Sequence, residues 1–364
     1  MLNKILGYFS YDLGIDLGTA NTLVAIKDKG IVINEPSVVA LHKKTREILA
    51  VGEEAKKMVG KTPENIVAVR PLKDGVISDI EATEKMLSYF IKQVHKEGSG
   101  LPKIPRPRTI IGVPSGITEV EQRAVLRASQ KAGSRKTYLV EEAMAAALGI
   151  DLKVDSPEGN LVIDIGGGTT EIALISLGGI VLSKSLKIGG DKFDEDIVNY
   201  VKSQYKVLIG TRRAEEAKKS IGDVSQLLSL LGDTVESINK GVSSGNTVKK
   251  SKKYPVRGRS LKTGLPELIN LTPQDISLAL KDTVFSITDT LKVILEDMPP
   301  ELVSDVLKNG IYLVGGGSKI EGLADLISHQ VGVKVHTSEK SEFAVVKGTI
   351  KLLDNISFLE RVSL

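Results

Sequence analysis

Two stretches of the chain share one hydrophobic pattern. Apolar β-type runs cover residues 13–26 and 161–175, and a glycine-rich turn interrupts each of them. Each run therefore predicts a strand, a tight turn and a second strand. The turns read Asp16-Leu17-Gly18-Thr19-Ala20-Asn21-Thr22 and Asp164-Ile165-Gly166-Gly167-Gly168-Thr169-Thr170-Glu171. A repeat of this size predicts two related lobes that face one cleft.

The rest of the pattern alternates between helical and strand-like segments. Helical spacing predicts helices over residues 53–58, 81–96, 119–132, 191–205, 272–298, 323–331 and 342–353. Short apolar runs predict strands within 30–41, 109–113 and 137–140. A third apolar strand, residues 310–314, ends in Gly315, Gly316, Gly317 and Ser318. The fold class is therefore α/β, with mixed sheets flanked by helices.

The two repeated turns carry the chemistry of a phosphate site. Their glycines let successive backbone N–H groups converge on an anion, and Thr and Asn side chains add donors. Asp16 and Asp164 can each hold Mg²⁺ directly or through its water shell. One such turn alone is most often only a turn. The duplication favours a nucleotide held from opposite sides.

Composition excludes several classes of function. The 364 residues include 49 basic and 45 acidic ones, a balance too even for a nucleic-acid binder. Aromatic residues make up 4% and Trp is absent, so stacking platforms for bases or sugars are not expected. Zero cysteines exclude disulfides, thiolate catalysis and cysteine zinc sites, which suits a cytoplasmic protein. The four histidines show no ligand spacing.

Membrane contact is expected at the surface of a bilayer and not through it, because no apolar run reaches the ~20 residues of a span. At helical spacing, the apolar side chains of residues 1–9 would lie on one face, which is typical of a helix bound at a membrane surface. The alternative is a frayed terminus or a segment docked on the body of the protein. That face consists of Met1, Leu2, Ile5, Leu6, Tyr8 and Phe9. Residues 98–107, with Leu101 and Ile104, form a connector or a second membrane contact.

Two features of the second half have open interpretations. Glu215 and Lys218 share a helix face, and they form an ordinary surface pair unless a nucleotide lies beside them. Residues 223–254 are rich in Ser, Gly and Lys after a short Leu-rich patch. This composition predicts a projecting flexible loop.

Several motifs, in order, make the chain resemble one family. It is similar to MreB, the bacterial actins that govern rod shape, within the superfamily of actin, hexokinase and heat-shock chaperone ATPases. The resemblance covers essentially the whole chain except residues 223–254. The motifs are the two repeated turns, Asn34-Glu35-Pro36-Ser37-Val38-Val39, Arg70-Pro71-Leu72-Lys73-Asp74-Gly75-Val76-Ile77 and Gly112-Val113-Pro114-Ser115-Gly116-Ile117-Thr118.

The resemblance implies an actin-like fold with ATP or ADP and Mg²⁺ between the lobes. Lobe I is expected over residues 1–150 and 339–364, with a small subdomain at about 41–72, and lobe II over 151–338, with one at about 192–269. The resemblance implies phosphate turns at Thr19, Ala20 and Asn21 and at Gly168, Thr169 and Thr170, an adenosine turn at Gly315, Gly316, Gly317 and Ser318, and a nucleoside segment at Glu215, Glu216, Ala217 and Lys218. Glu142 is expected to orient the attacking water with help from Thr169, and Asp16 and Asp164 to lie in the magnesium shell.

Two departures from the family pattern bear on these roles. Ala143 stands where the family usually has proline, which is expected to loosen the helix that starts behind Glu142. The insertion at 223–254 is longer than is usual in the family.

The function implied is that of a filament-forming ATPase. Subunits would join head to tail in paired protofilaments on the inner face of the cytoplasmic membrane, with cell-wall synthesis and membrane morphogenesis proteins as partners. The alternatives are another bacterial actin that positions plasmids or organelles, a small-molecule kinase and a chaperone ATPase module. Scarce aromatic residues disfavour the kinase, and the end of the chain at Leu364 disfavours the chaperone.

Overall fold

The computed structural model describes residues 10–96, 106–231 and 253–364, which form two lobes. The first contains β1 (Leu13–Leu17), β2 (Asn21–Ile26), β3 (Gly30–Pro36), β4 (Val39–His42), β5 (Ile48–Val51), β6 (Ile66–Val69), β7 (Leu72–Lys73), β8 (Val76–Ile77), β9 (Arg108–Val113) and β10 (Lys136–Glu141). Its helices are α1 (Glu53–Met58), α2 (Ile80–Lys96), α3 (Glu119–Lys131) and α4 (Glu142–Gly149).

The second lobe repeats this alternation of strands and helices. Its strands are β11 (Asn160–Ile165), β12 (Thr170–Ser176), β13 (Gly179–Leu186), β14 (Val207–Leu208), β15 (Tyr254–Ser260), β16 (Pro266–Leu271), β17 (Ile311–Val314) and β18 (Val335–Thr337). Its helices are α5 (Gly190–Gln204), α6 (Thr211–Ile221), α7 (Pro273–Glu296), α8 (Pro300–Asn309) and α9 (Leu323–Val331). The chain ends in α10 (Ala344–Asp354) and α11 (Ile356–Val362).

Each lobe is built on one mixed sheet, and the two sheets have the same local topology. The strand orders are β10-β9-β1-β2-β3 and β13-β12-β11-β17-β18. In each sheet a glycine-turn hairpin, β1–β2 or β11–β12, pairs antiparallel, while its first strand pairs parallel with β9 or β17. The α/β class with mixed sheets in two lobes is therefore confirmed.

Two smaller sheets lie beside the large ones. Strands β5-β4-β6 form one, and α1 and α2 pack against it in the first lobe. Strands β14-β15-β16 form the other in the second lobe. The small sheets bring side chains from distant parts of the sequence to the rim of the cleft.

The core joins the lobes through α4 and α10. One apolar cluster combines Ile110 and Val140 of the first sheet with Val162 and Ile175 of the second, around the alanines of α4. The two helices are in backbone contact, because a β-carbon at Gly348 would lie 1.7 Å from the Ala145 carbonyl oxygen. No side chain separates them at this point.

Local sequence signals explain where the helices begin. Thr118 caps α3 in a reciprocal capping box with Glu121, and Thr272 caps α7 in the same way with Asp275. These boxes satisfy backbone donors that a helix start leaves unpaired. The helices predicted at 119–132 and 272–298 were therefore confirmed to within two residues.

Some elements had no prediction from the sequence. The β15–β16 hairpin was missed because its outward face mixes polar and apolar residues, with Leu265 and Leu268 more than half exposed. α8 and α11 were also missed, since both are short and follow directly on Pro299 and Asn355.

The first part of the segment predicted as a flexible loop has regular structure, so the prediction is wrong for residues 225–231. Residues Ser225–Leu231 form a 3₁₀ helix, and Val224 and Leu227 are buried in the core of the second lobe. Leu227 and Leu228 are therefore core and not loop, and the 3₁₀ helix contacts α7 and α9.

Three of the sequence-based expectations fall outside the described residues. They are the amphipathic segment 1–9, the Leu101 and Ile104 contact, and residues 232–252 of the loop. Within the described ranges, no helix combines the length and apolarity that a membrane span requires.

Candidate nucleotide site

A cavity of about 530 Å³ lies between the two lobes. That volume is within the usual range for small-molecule sites. All three glycine turns line it, together with acids from both sheets. The residues expected from the sequence that line it are Asp16, Thr19, Ala20, Asn21, Glu142, Asp164, Gly168, Thr169, Glu215, Lys218, Gly315, Gly316 and Gly317.

The two repeated turns contact each other across the cavity. A β-carbon built at Gly167 would lie 2.5 Å from the Ala20 side chain and 2.9 Å from the Ala20 backbone nitrogen. Real β-carbons do not approach so closely, so only glycine allows the turns to meet. The Thr19 hydroxyl also accepts a hydrogen bond from the Gly75 backbone N–H at 3.0 Å.

The third turn approaches the second hairpin equally closely. Gly315 has a φ of +83°, and a β-carbon there would lie 2.2 Å from Asp164 Oδ1. Ser318 does not line the cavity: its hydroxyl donates to the Gly315 carbonyl oxygen at 2.7 Å and closes the turn. Thr170 is also turned away, and its hydroxyl donates to the Ile188 carbonyl oxygen at 2.7 Å. Both hydroxyls bond to backbone instead of facing the cavity, and the expected ligand contacts of these two residues stay predictions.

One face of α6 forms a wall of the cavity. Glu215, Lys218, Lys219 and Gly222 line it, in the spacing of one helical face. Glu216 lies on another face and pairs with Arg212 and Arg213, and Ala217 is fully buried in the core. Of the four consecutive residues expected beside the nucleoside, Glu215 and Lys218 line the cavity, and their contact with a nucleoside stays a prediction.

Lys218 is a buried cation with a defined partner. Its ammonium lies 2.8 Å from Asp194 Oδ1 and donates to the Gly190 carbonyl oxygen at 2.6 Å. Burial raises the pKa of Asp194 to about 6, although the Lys218 charge opposes the shift. Asp191 and Asp194, both near the start of α5, thus bring further carboxylates to the cavity.

Three carboxylates, those of Asp16, Glu142 and Asp164, share the floor of the cleft, and the Glu171 carboxylate is buried beside them. Burial raises the pKa of Asp16 to about 7, and burial together with the Asp16 charge raises that of Asp164 to about 7. Burial and the charges of Asp16, Glu171 and Asp164 raise the pKa of Glu142 well above its usual value. Such a cluster is unfavourable when ionised, so it favours a bound cation. No three ligating side chains converge on one point in the described part of the chain.

Glu142 is the first residue of α4, at the end of β10. Ala143 follows it fully buried, and the helix forms without the proline that is usual in the family. α10 packs against α4, and the expected loosening of this helix start stays a prediction.

Glu171 is a buried acid beside the cavity that the sequence did not single out, and its charge acts on Glu142 and Asp164. It is 1% exposed, its Oε2 accepts from the Ser115 backbone N–H of the first lobe at 3.2 Å, and its Oε1 accepts from the Ser185 hydroxyl at 2.7 Å. Burial raises its pKa to about 7. Its place in the second turn was the only available signal, because Ser115 is remote in sequence.

Comparison with known proteins agrees with this geometry. A crystal structure of MreB5 of Spiroplasma citri bound to ADP superposes with a TM-score of 0.83, is 33% identical and covers 97% of this chain and 98% of that chain. A MamK double helical filament structure, 22% identical, has a TM-score of 0.73 over 95% of this chain and 99% of that chain, which supports the fold alone. The two-lobed architecture is thus that of the actin-like proteins.

Sequence relatives identify the family within that class. The model of the MreB/Mbl protein family matches residues 10–230 and 225–361. The cell shape-determining protein MreB of Escherichia coli is 45% identical over 360 residues, 98% of this chain and 97% of that protein. The cell shape-determining protein Mbl of Bacillus subtilis is 44% identical over 353 residues, 97% of this chain and 98% of that protein. The chain belongs to the MreB/Mbl family.

Proposed function

We propose that the protein binds and hydrolyses ATP in the cleft and that this cycle controls its assembly into filaments. The observation that carries the proposal is the contact of two duplicated glycine turns across one cavity with a floor of acids. Such turns offer converging N–H groups to a phosphate chain. The similar MreB5 structures, bound to ADP and to AMPPNP, support the same ligand class here.

Each group has a role in this proposal. Thr19, Ala20 and Asn21 hold the phosphates from lobe I, and Gly168 and Thr169 hold them from lobe II. Gly315, Gly316 and Gly317 accept the adenine against bare backbone, while Glu215 and Lys218 face the nucleoside. Glu142 orients the attacking water in line with the γ-phosphoryl group, and Thr169 assists it.

The donor set at the floor of the cleft fits a magnesium ion that arrives with the nucleotide. Mg²⁺ prefers one or two carboxylates together with phosphate oxygens and retained waters. Asp16 and Asp164 supply two hard oxygen donors, and a site of this kind needs no third protein ligand. When bound, the ion would neutralise phosphate charge.

Assembly follows from two lobes that close on a ligand. We expect lobe I to span 1–150 and 339–364 and lobe II to span 151–338. Closure would make one end of a subunit complementary to the opposite end of the next, which generates an open filament. The names of the relatives favour a role in cell shape over plasmid or organelle positioning.

An assembly experiment tests the enzymatic proposal. Phosphate release from ATP is measured over a range of protein concentrations, and samples are viewed by electron microscopy. We expect turnover per subunit to rise with concentration as filaments appear, without any added substrate. Turnover that is independent of concentration and stimulated by a metabolite would instead identify a kinase.

A membrane location is the second part of the proposal. Residues 1–9 and the segment with Leu101 and Ile104 would attach filaments to the inner face of the cytoplasmic membrane, where cell-wall synthesis and membrane morphogenesis proteins act. Weak single contacts suffice because a filament carries many copies. Removal of residues 1–9 is expected to release filaments from anionic vesicles in co-sedimentation. Unchanged co-sedimentation would reject this role.

A further inference from the structure

Two ion pairs join the small-sheet region of lobe I to lobe II at the rim of the cavity. The Lys56 ammonium, on α1 of the first lobe, lies 2.9 Å from Oε2 and 3.1 Å from Oε1 of Glu215, on α6 of the second. Arg70, just after β6, donates to Asp191 Oδ2 at 2.8 Å, in the first turn of α5. In both pairs the cation comes from the small sheet region of lobe I and the carboxylate from lobe II.

The carboxylates of these pairs line the cavity, whereas neither cation does. Each cation therefore acts on the site through an acid of the opposite lobe. Glu215 has a second partner, Lys219, at 2.6 Å on its own helix. Burial alone would raise the pKa of Glu215, but hydrogen bonds and charge from Lys219 and Lys56 outweigh it and lower the pKa to about 2. The carboxylate thus remains ionised and available to the pair.

The two pairs differ in how strongly water screens them. The side chains of Lys56 and Glu215 are 25% and 20% exposed, against 44% and 32% for Arg70 and Asp191. Exposed pairs contribute little because water and salt screen them, while partly buried pairs are screened less. Lys56 is therefore the stronger link.

We propose that Lys56, assisted by Arg70, is a positioning residue that holds Glu215 against the nucleoside and keeps the mouth of the cleft closed. The inference rests on the proposed nucleotide function and adds to it a determinant of retention. In this proposal a bound nucleotide leaves past α6, the wall of the cavity that carries Glu215, so separation of Lys56 from Glu215 is part of the path to release. Release is then faster when the pair is lost.

Neighbouring residues supply matched controls. Lys57 is adjacent on α1, but its partner is Glu54 of the same helix at 2.7 Å, so K57Q removes a charge without cutting a link between the lobes. K56R keeps a cation that can reach the same carboxylate. Comparison of K56Q with K57Q and K56R distinguishes the effect of losing the ion pair between the lobes from the effect of losing a positive charge on α1.

The test is a chase experiment with a fluorescent ATP analogue at concentrations below assembly. Unlabelled ATP displaces the analogue from wild type, K56Q, K56R, K57Q and R70Q, each first shown to be folded by its thermal unfolding. We expect release from K56Q to be about three- to tenfold faster than from wild type, and from R70Q about twofold faster. Release from K57Q should match wild type, and K56R should restore most of the difference.

Ionic strength provides an independent readout. Because salt screens the pair in wild type, the ratio of the K56Q rate to the wild-type rate should fall towards one as salt rises. Release from K56Q at the wild-type rate, or equal acceleration by K56Q and K57Q, would overturn the inference. Failure of the wild-type protein to take up the analogue would instead overturn the proposed nucleotide function.

Discussion

Gly168 of the second lobe faces Thr19 of the first so closely that a β-carbon at position 168 would lie 2.6 Å from the Thr19 hydroxyl oxygen. The two glycine turns can therefore meet at this point because position 168, like position 167, has no side chain. We predict that G168A forces the turns apart and weakens ATP binding by about tenfold or more, about 1.4 kcal/mol. Isothermal titration calorimetry measures the change.

A second glycine provides the control for this variant. Gly179 starts β13, and a β-carbon there would lie 3.9 Å from the Ser176 carbonyl oxygen, which is an ordinary van der Waals contact. G179A should therefore bind ATP as wild type does. Equal affinity of G168A and wild type would show that the turns have room to separate.

The contact between α4 and α10 leads to a prediction about stability. G348A places a methyl group against the Ala145 carbonyl oxygen, at 1.7 Å before any relaxation. Alanine gains up to about 1 kcal/mol over glycine in helix propensity, but forced separation of two packed backbones costs more. We expect a net loss of about 2 kcal/mol in the free energy of unfolding, measured by urea denaturation. An unchanged midpoint would mean that the helices can move apart at little cost.

The raised pKa of Glu171 leads us to predict a pH-dependent effect on the stability of the nucleotide-free protein. Burial raises its pKa from 4.5 to about 7, so its ionisation opposes folding, and Asp164 adds to this from the adjacent strand. The penalty is absent below pH 4.5, grows as the pH rises and is complete above pH 7. E171Q should thus stabilise the protein by about 2 kcal/mol at pH 8, and by less than about 1 kcal/mol at pH 5.

Glutamine suits this test because it retains the hydrogen bonds. Its amide oxygen can accept from the Ser115 N–H, and its amide nitrogen can donate to the Ser185 hydroxyl. E171A loses both and should be less stable than E171Q at either pH. A gain from E171Q that does not vary with pH would contradict the assigned cause.

A further prediction concerns the effect of Glu142 on ATP hydrolysis. E142A should still bind ATP, because the phosphate turns and the third turn remain, but phosphate release should slow by about a hundredfold as the water loses its orienting carboxylate. Single-turnover phosphate release, alongside calorimetric binding, separates the two effects. Phosphate release from E142A at the wild-type rate would show that Glu142 does not orient the attacking water.

The sequence was informative where function depends on local backbone. The turns at 16–22 and 164–171 could be predicted because glycines are required wherever backbones meet, as at Gly167 and Ala20. Helical spacing placed Glu215 and Lys218 on one face, and it would also have excluded Glu216 from the cavity if applied throughout.

Contacts between remote segments could not be predicted in this way. Nothing near Lys56 in the sequence indicates Glu215 as its partner, and the same is true of Ser115 and Glu171. These pairs depend on how the two lobes face each other, which is a property of tertiary packing. The β15–β16 hairpin was missed for a related reason, since its exposed face carries no clear alternation.

The backbone contact of α4 with α10 has a mechanical consequence. Ser341, just before α10, accepts the Gly315 N–H through its carbonyl oxygen and lies 2.7 Å, hydroxyl to hydroxyl, from Ser318. Glu142 is the first residue of α4. A layer of side chains between two helices can accommodate small shifts of one helix by changing rotamers. Two backbones in direct contact cannot. We therefore expect a displacement at the third glycine turn to be passed on to the Glu142 carboxylate.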